Sequence, residues 1–450
     1  MAWVVWFAFA AAAFGLVPVL GATPVQAGSW LGLALVSGCF LILVRLHPRK
    51  IPVLNYHSVS ARPEWLQLGN RVSLSPEAFE RQLAFLERHG YRSLFVSEVR
   101  ERLSGETRMK RRTRYVALTF DDGYADNWVA VLPLLRRYGM KATVFVSTGF
   151  VRDAAGYRPT IESKGIREAA DLEWSGYLTW PELQAMQASG FIEIQSHGHD
   201  HARVFTGPDL QGFLGPGRSN VWMLWNQRPE TKSEWWRELA RDRSLWGQPV
   251  FRQAPALAHR AYQPDSGAVA RLAAWTVAQG GALFDKPDWE RRLRNEWCQT
   301  LSKHGDQGRL ETQEEYERRL EEDLGKSKRL LEDRLGRPVE VLCWPENEFS
   351  EAGERLARRL GFKATVSNRH RSRNVRGEDA DTIMRVFVGE AAAGFRVGWL
   401  DFAAFVLELK VFEGWYVLYP LLAVMHQSRK MVFALRRHFR WRRDYLSMWA

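Results

Sequence analysis

The sequence predicts an α/β fold of repeated βα units around a parallel sheet or barrel. Three observations predict it. From Ile51 onward, short β-branched runs alternate with amphipathic stretches of helical period. The run at 141–146 is of the buried apolar type, as in a strand covered on both faces. Two runs end directly in acids or histidines, where βα barrels carry their chemistry. At 450 residues, 46% hydrophobic and 25% charged, the chain can bury a sizeable core.

The units follow in order. Residues 51–56 read as a strand, and Ser75-Pro76-Glu77 opens a helix to about His89, with a capping residue and proline at its first position. Gly90 closes it. Residues 115–120 form a strand, 127–138 a helix and 141–146 a strand. Thr179-Trp180-Pro181-Glu182 starts a helix, and 191–195 is a strand that runs into a histidine cluster. Later come a long charged helix at 313–335, a strand at 339–343, a helix at 351–360, and the last strands at 363–366 and 383–388. The rhythm breaks between 202 and 312, an insertion rich in tryptophan from Trp222 to Trp297. Such rings can stack on sugar faces, but they more often fill a small core, and core is the preferred reading.

Both ends look membrane-directed. Residues 2–20 are almost wholly apolar and long enough to span a bilayer, and 31–44 form a second, shorter run flanked by Trp30 and Arg45. A two-helix anchor over 1–46, turning at 21–29, is expected. A cleaved signal ending at Val25-Gln26-Ala27 is the alternative. No Lys or Arg precedes the first run, and a second apolar run follows the cleavage site, which both speak against it. Residues 395–450 turn apolar and aromatic and then strongly basic, as a peripheral membrane helix would; a helix docked on the barrel is the bland alternative.

Charge agrees with a membrane partner. Lys plus Arg number 63 against 51 for Asp plus Glu, a net +12. Much of that excess flanks the apolar segments, at Arg45, Arg49 and Lys50 and at Arg436, Arg437, Arg440, Arg442 and Arg443. No nucleic-acid recognition module is visible, so nucleic acid is not expected as a partner. If both amino-terminal segments span, the cluster at Arg45 keeps the part that follows on the cytoplasmic face of a bacterial-type inner membrane, with a periplasmic or extracellular face as the alternative. Cys39, Cys298 and Cys343 are too scattered for a disulfide framework or a cysteine zinc site.

The chemistry sits in two strand-end motifs. Thr119-Phe120-Asp121-Asp122-Gly123 offers one acid to hold a metal and a neighbour to take a proton from a bound water. Ser196-His197-Gly198-His199-Asp200-His201 places His197 and His201 four apart, a spacing that on a helical turn puts both imidazoles on one side. Two histidines and one carboxylate suit a divalent ion. Zinc is the default, although cobalt and nickel fit such ligands too.

These motifs resemble those of the NodB-homology polysaccharide deacetylases, also called carbohydrate esterase family four, over roughly residues 51–388 apart from the insertion. The resemblance implies a distorted (β/α)7 barrel over 51–390, with Asp121 as catalytic base and Asp122, His197 and His201 as metal ligands. Ile51-Pro52-Val53-Leu54-Asn55-Tyr56-His57 is similar to the opening strand of a permuted branch that includes biofilm poly-N-acetylglucosamine deacetylases. There His57 would protonate the leaving amine and Arg385 would orient the base. Taken alone, His57 would read as a core histidine and Arg385 as a structural strand-end residue.

The third motif departs from the family. Where Pro-Tyr-Gly is usual, this chain has Pro345-Glu346-Asn347. The Glu346 N–H could still stabilise an oxyanion if the loop path is kept, with its carboxylate turned away or recognising a cationic or hydroxyl-rich group. The expected reaction is metal-dependent hydrolysis of an N-acetyl group on a sugar polymer or glycolipid, with a glycan synthase as a possible neighbour. Two rivals stay open: a deacylase or deformylase of a lipid-linked amino sugar, and a barrel that binds glycan without catalysis.

Overall fold

A computed structural model describes Gly32 and residues 50–440, except 67–71, 111–112, 167, 219, 239–242, 371 and 378. The expected anchor therefore lies outside the described residues, Gly32 apart. So do the arginines of the last ten positions. Among the described residues no helix is long and apolar enough to cross a membrane.

The barrel strands are β1 (Val53–Tyr56), β2 (Tyr91–Leu94), β3 (Arg114–Phe120), β4 (Ala142–Val146), β5 (Ile192–Ser196), β6 (Val341–Cys343), β7 (Ala364–Ser367), β8 (Thr382–Met384) and β9 (Val386–Phe387). All their pairings are parallel, in the order β8-β7-β6-β5-β4-β3-β1-β9, and β2 pairs with the amino-terminal half of β3. The two ends of that row are one stretch of chain. β8 pairs with β7, Arg385 intervenes, and β9 then pairs with β1 at Leu54↔Val386 and Asn55↔Phe387. The ring closes through residues 382–387, which gives seven staves. The sequence reads 383–388 as one uninterrupted strand; instead it breaks at Arg385, because the chain leaves one neighbour there and joins the other.

Helices lie outside. α1 (Pro76–Arg88) starts at Ser75, whose hydroxyl accepts from the Ala78 N–H. α2 is Val96–Ser104, and α3 (Leu132–Arg137) is entered through a π-helical turn over Asn127–Val131. α4 (Trp180–Ala188) and α5 (Gln313–Leu335) both begin with full capping boxes, at Thr179/Glu182 and Thr312/Glu315. α6 is Glu351–Arg359.

Side-chain alternation sorts the strand residues into two cores. Val53, Ala117, Phe145, Val341, Val366 and Ile383 fill the barrel. Leu54, Leu118, Val144, Ile194 and Leu342 pack outward under the helices. The inward parity, continued to the carboxyl ends of five strands, is that of His57, Asp121, His197, Cys343 and Arg385.

The insertion is folded. An antiparallel pair, Arg203–Phe213 with Pro249–Pro255, is backed by helices Ser266–Gln279 and Trp289–His304 around Phe213, Phe251, Leu293 and Trp297. A second cluster joins it to the barrel: Trp222, Trp225 and Trp235 pack with Tyr124, Phe150 and Tyr177. These tryptophans are core, as preferred.

The carboxyl-terminal part forms a helical pair, α7 (Gly398–Phe412) and α8 (Tyr419–Arg440). Phe402 and Phe405 of α7 meet Phe85 of α1 edge-on at 5.7 and 5.9 Å. This segment is therefore docked on the barrel.

Candidate active site

The barrel's carboxyl end brings His57, Asp121, Asp122, His197, His201 and Arg385 together. Asp122 Oδ1 lies 3.3 Å from His197 Nε2 and 3.4 Å from His201 Nε2. These are the separations two ligands of one tetrahedral ion keep, about 3.4 Å for bonds of about 2.0–2.1 Å. Asp122 Oδ1 is buried without a hydrogen-bond partner, so the acceptor of this triad is left for a cation. His197 Nδ1 meets the Cys343 carbonyl at 2.8 Å. Donation to that carbonyl orients the ring with Nε2 toward Asp122, where burial opposes a proton and Cys343, Asp121 and Asp122 favour one, so a cation there would take the proton's place. Burial pushes the His201 imidazole down to about 4, against the pull of Asp122, so it is neutral and able to ligate near pH 7.

The histidine motif is not helical. Residues 197–202 are an open loop, with Gly198 at φ +76° and His201 at φ +44°. The His-x-x-x-His spacing works because the chain turns sharply, not because four residues make a helical turn. Gly198 is needed there: a Cβ would stand 2.9 Å from Asp323 Oδ1. Among the described residues six non-glycine positions have positive φ, and Asp122, His201, Glu346 and Asn347 are four of them. Strained backbone is concentrated at the rim, as it is at functional sites.

Asp121 is held from behind. Arg385 Nη1 donates to Asp121 Oδ1 at 2.6 Å, and both side chains are almost fully buried. Burial alone would raise the Asp121 carboxyl; Arg385, His197 and His57 outweigh it and hold it low. Arg385 is in turn fixed by Asn347 Oδ1, which accepts from Nε at 3.1 Å and Nη2 at 3.0 Å. His57 Nε2 faces Asp121 Oδ2 at 3.6 Å, and its Nδ1 is buried without a partner. Burial lowers the His57 imidazole, opposed by Asp121 and Asp122.

Residues that sequence reasoning missed hold these groups in place. Asp323 of α5 accepts the His199 and Asp200 N–H groups at 2.8 and 2.9 Å. Lys232 of the insertion, 1% exposed, donates to Asp200 Oδ1 at 3.0 Å and to the Asp200 carbonyl at 3.1 Å. Trp222 stacks on His201 with centroids 5.6 Å apart. The histidine loop is thus clamped from both sides. Asn127 Nδ2 donates to the His57 carbonyl at 3.1 Å and to Asp126 Oδ1 at 2.9 Å, while Ser58 Oγ donates to Asp126 Oδ2 at 2.5 Å. One signal was readable: Asp323 sits in the buried stripe of α5, beside Leu320 and Leu324.

In the third motif, Glu346 is turned to the insertion, where its Oε1 accepts from Arg203 Nε at 3.0 Å. Burial raises its carboxyl and Arg203 pulls it back. The Asn347 and Glu348 N–H groups close the turn on Trp344 and Pro345, and the Glu346 N–H takes no part in it.

Residues 108–242 match the family described as polysaccharide deacetylase. YxkH of Bacillus subtilis (strain 168), named as a polysaccharide deacetylase, is 31% identical over 157 residues, 35% of this chain and 45% of that protein. The poly-beta-1,6-N-acetyl-D-glucosamine N-deacetylase of Escherichia coli (strain K12) is 28% identical over 126 residues, 28% of this chain and 18% of that one. The chain thus spans less than half the length of these curated relatives. A solved de-N-acetylase from Aggregatibacter actinomycetemcomitans covers 75% of this chain and 94% of its own, at 17% identity and a TM-score of 0.46.

Proposed function

We propose that this chain, which carries a polysaccharide deacetylase domain of the NodB type, is a hydrolase that removes the N-acetyl group from an amino sugar in a polymer or glycolipid. The observation that carries the reading is the coincidence at one barrel rim of a three-ligand cation site and a separate, Arg-paired carboxylate. A divalent ion held by Asp122, His197 and His201 would polarise the acetyl carbonyl and the attacking water. Zinc is the ion proposed.

The chain's own groups move the protons. Asp121, kept ionised by Arg385, takes the proton of the water whose oxygen attacks the acetyl carbon. The Glu346 N–H, uninvolved in its own turn, donates to the carbonyl oxygen as charge builds there. The C–N bond then breaks, the proton taken by Asp121 passes through His57, whose Nε2 stands 3.6 Å from Asp121 Oδ2, to the departing nitrogen, and acetate and a free amine result.

The amino-terminal segments would tether the barrel to a membrane with its catalytic part toward the cytoplasm, where a lipid-linked sugar or a glycan leaving its synthase would be the substrate. A deacylase or deformylase of a lipid-linked amino sugar is the second reading, favoured by that orientation.

The test is acetate release from N-acetylglucosamine oligomers by the full chain in detergent with added zinc, beside Asp121→Asn and His201→Ala. Release that both substitutions abolish supports the reading. A folded, zinc-loaded protein that releases nothing from any N-acylated sugar, free or lipid-linked, would overturn it.

A further inference from the structure

α8 carries an exposed apolar stripe. Val417, at the turn that leads into the helix, and Leu421, Val424, Met431 and Leu435 are 49–68% exposed. They recur at spacings of three, four and seven, so they share one face. Leu422 is buried and Met425 and Val432 half-buried on the adjoining face that packs on the protein, while Lys430 is exposed on a third. At the start of α7, Trp399 is 73% exposed. Scattered apolar residues need no explanation, but a stripe from 417 to 435, broken only by the half-buried Ser428 on the same face, does.

The placement of that helix says what covers the stripe. Lys50, the first described residue after the predicted anchor, donates to the Tyr416 hydroxyl and lies over its ring at the foot of α8. Further along, Ser428 donates to the Ala393 carbonyl at 3.1 Å, and the Arg429 guanidinium lies 5.4 Å from the Phe387 ring. Phe387 ends β9 and faces His57 at 6.0 Å. α8 therefore runs along the flank of the barrel, from Lys50 to the rim that carries His57. Beyond Lys430 the sequence adds Arg436, Arg437 and Arg440 to the same helix.

We infer that α8 lies flat in an anionic membrane surface, so that the barrel rests on its side with the His57 edge of its rim beside the lipid headgroups. The inference rests on the membrane reading above and adds to it the docking face and the orientation. Basic residues along an apolar stripe are what an anionic leaflet attracts. An anchor in the segment before Lys50 would hold the stripe at that leaflet. A barrel in this posture would take its amino sugar from a membrane-tethered chain rather than from bulk solution.

The experiment uses the full chain with Cys39→Ala and Cys298→Ser, spin-labelled singly at Val424→Cys, Leu435→Cys or Lys430→Cys, in vesicles of phosphatidylcholine with phosphatidylglycerol. Flotation reports whether the anchor holds, independently of the labels. Expected are labels at 424 and 435 that are reached by oxygen, shielded from a water-soluble nickel complex and equal in depth, with the label at 430 open to nickel. A chain that floats with 424 and 435 open to nickel would overturn the inference. So would depths differing by the helix rise between the two sites, about 16 Å, which would mean that the helix stands upright. Dipolar coupling between 424 labels would assign the stripe to a second copy instead, and a chain that does not float would overturn the membrane reading and the inference together. Because none of these signals depends on turnover, a failure of the deacetylase reading stays distinguishable.

Discussion

Arg385 Nη1 stands 2.6 Å from Asp121 Oδ1, with both side chains in the barrel interior. The pair joins the residue at which the ring closes to the residue proposed as base. Arg385→Met should leave Asp121 buried and unpaired, a change that costs about 3–5 kcal/mol where a buried pair is broken. The acid limb of the pH profile for kcat/KM should also move to higher pH, since the guanidinium is what holds the carboxylate low. Arg385→Lys should restore part of the profile, though not the two bonds to Asn347. A profile unmoved by Arg385→Met would reduce the arginine to scaffold.

Asp121→Asn should lower kcat by about 10²–10⁴-fold, the range expected for a general base. Zinc affinity should stay close to that of the parent, because Asp122, His197 and His201 are untouched. His201→Ala should lose zinc and activity together. Parallel zinc titration and acetate assays separate the two variants.

The clamp on the histidine loop predicts a role for the insertion. Lys232→Met removes the cation bonded to Asp200, and Asp323→Asn removes one acceptor of the His199 and Asp200 N–H groups. Each should weaken zinc binding by about 10–100-fold, the usual effect of a support behind a ligand, with the circular dichroism of the fold retained. Competition with a chromophoric chelator measures it, and an unchanged zinc affinity in both variants would mean that the loop holds its shape without them.

Asp126 gives a pH dependence. Burial pushes its carboxyl up to about 7, although Ser58, the Val59 N–H and Asn127 pull it back. A carboxyl raised in the folded state favours folding while it is protonated. Its stabilising share is complete below the ordinary aspartate range, falls as pH rises, and is gone above about pH 7. The difference amounts to about 4 kcal/mol at 1.36 kcal/mol per pH unit. The urea midpoint of Asp126→Asn should therefore fall less than that of the parent between pH 5 and pH 8.5. Parallel curves for the two proteins would show that Asp126 does not titrate in that window.

The sequence by itself determined the local elements and the two strand-end motifs. Strand and helix periods, the cap at Ser75 and the helix start at Thr179 depend on neighbours within a few residues, so they were legible. That Asp121 and His197 stand directly after strands was legible in the same way. Only the tertiary structure decided how the site is held. Arg385 meets Asp121 across 264 positions, Asp323 meets His199 across 124, and Lys232 meets Asp200 across 32. A contact between residues so far apart leaves no periodic trace in either segment. The sharp loop that brings His197 and His201 onto Asp122 is likewise set by the Asp323 and Lys232 clamps, where spacing alone suggested a helical turn. The docking of α7 and α8 followed the same rule: an apolar segment announces that it will be covered, and the surface opposite decides by what.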